Sequence, residues 1–571
     1  MFDSTNVYTL RKIFENCKSI RIPPYQRAYS WGIKQWKQFV GDLNDQKSGK
    51  TYHLGQFIFE TSNDGHLFVV DGQQRLLTTV LFFAAFAKTS KAKNVDCTAL
   101  DLYLFNTMHA IEDDDKVFSA IKNGDSVDKN SKTLMHSQKQ MVEAFVFFEK
   151  VLSKYDEIKL NSLRGALENA VVGVFPIKNR LEATQVFEYQ NSRGIPASQF
   201  ELIKAFLMHQ VYFNSSDEEA NENIKGIQKI VTDIYRCIEE VDGYFTEDHL
   251  MDRYCWLKYN CEGTLSAIKK ITTGVDESDE DGESEERPDT SIKTIKDVNS
   301  FFNGFLELCQ AAQNIVKQAS INPLVANLFL LSTDLNWDYL ILAVLINGKP
   351  SNPDSLLKLI ELACIHIMLV KLDSVQHKKK DFLWDWARKF YHDGLAIDTL
   401  LIGLRKFIKK GECPDGKEWS NLVDLIRKYK HIQYHYSYPE ATKYILWQYE
   451  NNLRKESGLP RLLDKKLYGK YTIEHILARN SEAKENTETF QKRWLNNIGN
   501  LSLLSTQDNS SLSNHSFDEK KREKYKELAD KKELVLYSEI IDKAEWRQTE
   551  VKNRRDKICS FIDKCFSPNG K

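Results

Sequence analysis

The sequence predicts an α+β fold that is predominantly helical. Strand-like apolar patterns fall before about residue 177, and from about 215 to 460 the apolar residues recur at helical spacing. Phe301, Phe302, Phe305 and Leu306 form one such stripe, and Leu356, Leu357, Leu359, Ile360 and Leu362 another, as core-facing helices require. A chain of 571 residues exceeds one hydrophobic core, so about two to four domains are expected.

The N-terminal region reads as strand, helix, strand, strand, helix. Ser19-Ile20-Arg21-Ile22 alternates as a strand and stops at Pro23-Pro24, neither of which can donate to a ladder. After Tyr25, Gln26 and Arg27, Ser30 is placed to cap a helix carrying Trp36, Phe39, Val40 and Leu43. Two strands, 55–60 and 66–70, flank the turn signal Asn63-Asp64-Gly65. The second runs into Asp71-Gly72-Gln73-Gln74-Arg75 and a strongly apolar helix.

Two readings of this junction stand side by side. Asp71 caps the helix and Arg75 pairs with it, or the glycine turn and the helix-start amides form an anion site. In the second, Asp71 and Arg75 hold a phosphate from two sides, and Gln73 and Gln74 offer neutral hydrogen bonds.

Further on, Asp113-Asp114-Asp115 reads as a solvated loop, and Ala170 to Pro176 as a buried strand. Asn191-Ser192-Arg193-Gly194 is a turn between helices that places Arg193 at their junction, with Lys204 early in the second helix. Gly194 as a C-terminal cap with two solvated cations is one account; a second phosphate-facing edge of the same pocket is the other. The segment 274–290, with its run of acids from Asp276 to Glu286, is a mobile surface loop. These features divide the chain into 1–215, a helical connecting region 216–440, and 441–571.

Composition limits the function classes. At 42% hydrophobic and 28% charged the chain is a soluble globular type, and a net charge of -1 excludes a uniformly basic nucleic-acid binder. Charge is nevertheless segregated: residues 451–571 hold 25 Lys and Arg against 19 Asp and Glu, a surplus of 25 − 19 = 6 that suits a polyanion. The ten cysteines include no Cys-x-x-Cys pair, which argues for free thiols in a reducing cytosol. The N-terminus lacks the apolar run of a signal peptide, and LILAVLI and IHIMLVKL are too short to span a bilayer. A cytoplasmic protein with no membrane partner is expected.

The C-terminal stretch Tyr471–Tyr525 holds the ligand and base types of a one-metal phosphodiesterase. Tyr471, Thr472 and Ile473 lead into Glu474-His475, and Asn500 and Asn509 follow. The segments IPPYQRAYSW, LGQFIFE, VVDGQQRLLTT and FEYQNSRG…ELIK resemble the N-terminal domain of GmrSD-type modification-dependent restriction enzymes. YTIEHI…IGNLSLL…N…F…KK…Y resembles their C-terminal His-Asn-His nuclease domain. The likeness covers roughly residues 8–210 and 440–560.

It implies a ParB/sulfiredoxin-like α/β N-terminal domain associated with nucleotide hydrolysis, and a C-terminal ββα-metal (HNH) domain. It implies restriction of double-stranded DNA carrying modified bases or backbones. Asp71, Gly72, Gln73, Gln74 and Arg75 would form the nucleoside triphosphate (GTP, ATP or other) site, lined by Tyr25, Gln26 and Arg27, with Asn191, Arg193 and Lys204 nearby. Glu201 stands where the family would place an aspartate. His475 would be the general base, for which a neutral imidazole of pKa near ~6.5 suits, and Glu474 and Asn509 the oxygen ligands of Mg²⁺ or Mn²⁺. Asn500 would fix the connecting turn or orient His475.

Aspartate is commoner than Glu474, Asn509 replaces the third histidine, and His515 is a rival to it. Lys520, Lys521, Arg522 and Lys524 would meet DNA phosphates or form a solvated helix face. The expected activity is a nucleotide-regulated DNA endonuclease of bacterial anti-phage defence. Alternatives are a nucleotide-dependent DNA-binding regulator with an inactive nuclease site, or an effector acting on RNA or host DNA. A homodimer is compatible with either.

Overall fold

The computed structural model describes the chain outside residues 1–6, 46–51, 62–63, 105–107, 178–197, 260–291, 371–380, 414–418, 479–485, 513–516, 518–521 and 567–571 and positions 132, 293, 349 and 351. It divides into two compact units, Met1–Gln310 and Ala311–Lys571. The acidic segment 276–286 lies outside the described residues.

The first unit is built on a six-stranded mixed sheet of β1 (Val7–Thr9), β2 (Ser19–Arg21), β3 (His53–Thr61), β4 (His66–Asp71), β5 (Met108–His109) and β6 (Val171–Ile177), in the order β1-β6-β3-β4-β2-β5. Antiparallel pairs join β1 to β6 and β3 to β4; β3–β6, β4–β2 and β2–β5 run parallel. The strands expected at 19–22, 55–60, 66–70 and 170–176 are all present. β1 and β5, of three and two residues, are too short to display a two-residue period.

The helix Gln73–Ala92 is buried on nearly every side, which is why its sequence is apolar all round rather than striped. It packs on the helix His136–Leu152, where Phe82 meets Phe148 with ring centroids 5.5 Å apart, and Phe82 also meets Phe39 of the helix Ile33–Asn44 at 5.8 Å.

Two local expectations fail for physical reasons. The helix carrying Trp36 starts at Ile33 with Gly32 as its N-cap, and the Gln35 side chain accepts from the Gly32 amide (3.1 Å). Ser30 is therefore not the cap; its amide instead donates to Gln74 Oε1 at 2.9 Å. Nor is Asp113–Asp115 a solvated loop: it lies in the helix Glu112–Asn123. Asp114 is buried and accepts from Ser137 Oγ (2.7 Å), and Asp115 accepts from the Ala110 amide (2.9 Å).

The second unit is helical apart from one antiparallel pair, β7 (Tyr471–His475) and β8 (Leu501–Ser505), among the described residues. No described helix is long and apolar enough to cross a membrane.

β3 is irregular at the point that matters for the candidate site. Its register against β6 shifts between His53 and Gly55, and Gly55 adopts φ +97°. The bend aims two carbonyls at Arg75, whose Nη1 donates to Leu54 O (2.8 Å) and Nη2 to Gln56 O (2.7 Å). A Cβ on Gly55 would lie 1.9 Å from Nη1. Gly55→Ala should therefore destabilise the first unit by about 3 kcal/mol, combining left-handed strain with the displaced guanidinium. Gly124 shares a positive φ (+81°) but faces open space, so Gly124→Ala should cost only about 1 kcal/mol. Urea titration of the two variants reads the difference.

Candidate functional site

In the first unit, β4 delivers Asp71 to Gly72, whose φ of +94° makes the turn into the helix Gln73–Ala92. A Cβ on Gly72 would lie 2.1 Å from the Phe57 ring, so both backbone angle and space demand glycine. Gln74 reaches back across this turn: its Nε2 donates to Ala28 O (3.0 Å), while its Oε1 takes the Ser30 amide. Gln26 Nε2 donates to Val69 O and Val70 O (3.1 and 2.6 Å), and Gln26 O accepts from Lys204 Nζ (2.8 Å). Tyr25 is fully buried and Arg27 half-buried on the same segment.

The structure thus brings Gln26, Gln74, Arg75 and Lys204 together around one junction, bonded chiefly to main-chain oxygens. Burial lowers the pKa of the Lys204 ammonium, and Glu201 and Glu247 oppose that shift. Burial likewise lowers Arg75, against Asp71, whose carboxylate is 3.9 Å from Nη2. Gln73 is buried and its Oε1 has no hydrogen-bond partner among the described residues. Asp71 is the more open group, with a side chain 41% exposed. Asn191 and Arg193 lie outside the described residues.

Glu201 fills a local need that aspartate meets less well. It is the third residue of a capping box, accepting from the Ser198 amide (3.0 Å) while its own amide donates to Ser198 Oγ (3.2 Å). Beside Ser30 opens a cleft of ≈ 610 Å³ lined by Glu201, Glu239, Asp242 and Glu247 together with Lys139 and His136. Burial pushes the Glu247 carboxyl up to about 7. With carboxylates in excess of cations, such a cleft attracts cations rather than anions.

In the second unit, β7 and β8 pair without a register break, Tyr471 opposite Ser505 through His475 opposite Leu501. The helix Thr506–Leu512 follows and packs on both strands. Thr472 and Glu474 share one face of β7 by the two-residue period. Asn509 Nδ2 donates to Thr472 Oγ1 at 3.1 Å, which sets Asn509 on the Glu474 face and leaves its Oδ1 as an acceptor. Those two oxygen donors fit a hard divalent ion. No group of three or more His, Cys, Asp or Glu that could hold a metal occurs among the described residues.

His475 Nε2 lies 2.9 Å from Asn496 Oδ1, and its ring packs on Tyr436 with centroids 4.6 Å apart. A carbonyl oxygen only accepts, so Nε2 is the donor in this bond. Orientation of His475 therefore falls to Asn496 and Tyr436, neither singled out from the sequence; the tandem Asn496-Asn497 was the available signal.

Asn500 does the other task foreseen for it and fixes the turn. It is fully buried. Its Oδ1 accepts from the Leu477 amide and Trp546 Nε1 (both 3.0 Å), and its Nδ2 donates to Leu477 O (3.1 Å) and Leu495 O (2.8 Å).

Lys520, Lys521 and the rival His515 lie outside the described residues, and only the backbone of Arg522 is described. Lys524 is 2.8 Å from Asp508 and 3.2 Å from Glu527. The hydrogen bond to Asp508 is the main cause of its raised pKa.

The turn before β8 is held from three sides. Arg554 Nη1 donates to the carbonyls of Ile498, Gly499 and Leu501, the last at 2.6 Å. A Cβ on Gly499 would sit 2.0 Å from Val551 O. Buried His435 accepts the Ile498 amide at Nδ1 (3.1 Å), and burial lowers its pKa to about 3.

Two family models match the chain: GmrSD restriction endonuclease, N-terminal domain, over residues 10–208, and GmrSD restriction endonucleases, C-terminal domain, over residues 419–561. No curated protein matches it.

Asn500→Ala would leave the buried Leu477 amide and Trp546 indole without their acceptor. At about 1–3 kcal/mol for each orphaned group, a loss on the order of 4 kcal/mol is expected in denaturant titration. His435 gives the second unit an acid limb. The unfolded chain protonates this histidine near pH ~6.5 and the folded one only near 3. Its contribution is therefore complete above ~6.5 and declines by about 1.4 kcal/mol per pH unit below it. His435→Asn should flatten that limb in stability-versus-pH curves.

Proposed function

The chain belongs to the GmrSD restriction endonuclease family, and from that premise we propose that it cuts modified foreign DNA at the β7–β8 hairpin in anti-phage defence, under control of nucleoside triphosphate bound in the first unit. The observation that supports the nuclease reading is the His475–Asn496 bond, which holds the imidazole at the end of β7 through Nε2. His475 takes the proton from the attacking water there, as a general base. Tyr436 packs against the ring, which limits rotation out of line.

Glu474 and Asn509 would hold Mg²⁺ or Mn²⁺ through oxygen. When bound, the ion supplies charge stabilisation to the phosphate and the departing 3′ oxygen. Asn509 is already anchored through its nitrogen, so the donor needs no search. Lys520, Lys521, Arg522 and Lys524 follow the hairpin's helix and would meet the DNA backbone, Lys524 by exchanging Asp508 for a phosphate.

Control is assigned to the Asp71–Arg75 junction. Arg75 and Lys204 already serve main-chain carbonyls, so a nucleotide would be met by Asp71, Gln73, Arg27 and the helix-start amides, with Asn191 and Arg193 as further candidates. A site tied this closely to β3, β4 and the preceding loop would turn nucleotide occupancy into a shift of that loop.

Supercoiled plasmids carrying different modifications, incubated with Mg²⁺ and each nucleoside triphosphate, test the proposal. Nicking or linearisation is expected, and His475→Ala should slow it by ~10²–10⁴-fold while sparing triphosphate hydrolysis. Asp71→Ala should do the reverse. Absence of cleavage by wild type on every DNA would sink the nuclease reading. Loss of both activities in both folded variants would sink the division of labour.

A further inference from the structure

A second polar cavity, of ≈ 490 Å³, lies wholly within the helical second unit and uses none of the residues assigned above. Its floor is one continuous hydrogen-bonded chain. Glu361, 1% exposed, accepts from Lys358 Nζ (2.8 Å) on one oxygen and from Asn327 Nδ2 (2.9 Å) on the other. Asn327 Oδ1 accepts from Gln448 Nε2 (2.9 Å), and Gln448 Oε1 accepts from Arg461 Nη2 (3.2 Å). The relay therefore holds one cation at each of its ends.

Lys455 and Lys564 also line the cavity and are exposed. Cys565 marks the point where the cations converge. Burial raises the pKa of its thiol, Lys358, Lys564 and Arg461 each act to lower it, and Glu361 acts to raise it. Four cations face a single carboxylate, Glu361, leaving the lining at 4 − 1 = +3 in a chain whose overall charge is -1.

Among the described residues the ion pair with Glu361 accounts for Lys358, while Arg461 is held only by a neutral amide. The remaining positive charge sits in a concavity, where field lines concentrate and counter-ions gather. A rigid guanidinium beside flexible ammonium groups is the mixture that phosphate oxygens select, and the volume falls within the range of small-ligand sites.

We propose that this cavity binds a small ligand carrying a di- or triphosphate, separately from the nucleotide assigned to the first unit. Lys358 and Arg461 are pre-positioned by the buried relay; Lys455 and Lys564 close on the ligand from the rim. The first-unit reading can fail without affecting this one.

Cys565 provides a local reporter. The full chain is alkylated with iodoacetamide under mildly alkaline conditions with and without inorganic tripolyphosphate, and labelling is followed by peptide mass spectrometry, with Cys97 of the first unit as internal control. At ~10 times the dissociation constant, labelling of Cys565 should slow about tenfold with Cys97 unchanged. The Lys455→Gln/Lys564→Gln double variant, altered only at exposed side chains, should lose that protection. Arms with ATP and GTP tell whether a nucleoside strengthens it. Equal labelling of Cys565 at saturating tripolyphosphate, or full protection in the double variant, overturns the proposal. So does protection by short duplex DNA but not by tripolyphosphate, which would make the cavity a contact for the DNA backbone.

Discussion

The candidate nuclease hairpin depends on a close approach at Gly499–Asn500. Val551 O of the helix Gln548–Phe566 comes so near Gly499 that a methyl group does not fit, and the next side chain, Asn500, is buried with all of its amide engaged. A buried amide is worth little net when satisfied and costs heavily when a partner is lost. The residues it joins, Leu477, Leu495 and Trp546, are therefore compelled to stay together. β7 ends just before Leu477, and β8 begins immediately after Asn500. One side chain thus fixes the end of the first strand, the start of the second and the position of a distant tryptophan. His475, two residues from Leu477, inherits its location from this arrangement.

The first unit solves a similar problem with a cation. Arg75 donates to two carbonyls of β3 that only a left-handed glycine can present, and its guanidinium lies 5.0 Å from the Phe57 ring centroid. The Asp71–Arg75 block is therefore both scaffold and candidate site. The junction has two edges: side chains of Gln26, Gln74 and Arg75 turn inward to main-chain groups, while the Asp71 side chain is 41% exposed. A residue-by-residue transfer of binding roles onto such a block blurs this division.

Much of this was legible in the sequence because the relevant signals are local. β2, β3, β4 and β6 announce themselves through alternation and punctuation by Pro, Asn and Gly, and Glu474-His475 stands out at the end of an apolar triplet. What escaped was nonlocal. Asn496 gains its role only when the turn folds back onto β7, and Arg554 reaches the turn from more than fifty residues later in the chain. Asp113–Asp115 reads as a solvated loop because composition says nothing of Ser137, which arrives from the next helix to donate a hydrogen bond to the buried Asp114 carboxylate. Ser30 has the right chemistry for a cap, yet Gln74 claims its amide and the helix begins later.

The Gly499–Val551 contact also bears on how such a domain can be exchanged between proteins. The stretch Tyr471–Tyr525 reads like a portable cassette, since the proposed base and both ligands fall inside it. Its turn, however, is shaped by His435 on one flank and by Trp546, Val551 and Arg554 on the other. Recombination that moved the cassette alone would carry the chemistry without its mould. The inheritable unit is wider, from before His435 to beyond Arg554, and substitutions on the helix Gln548–Phe566 can displace the hairpin through its turn.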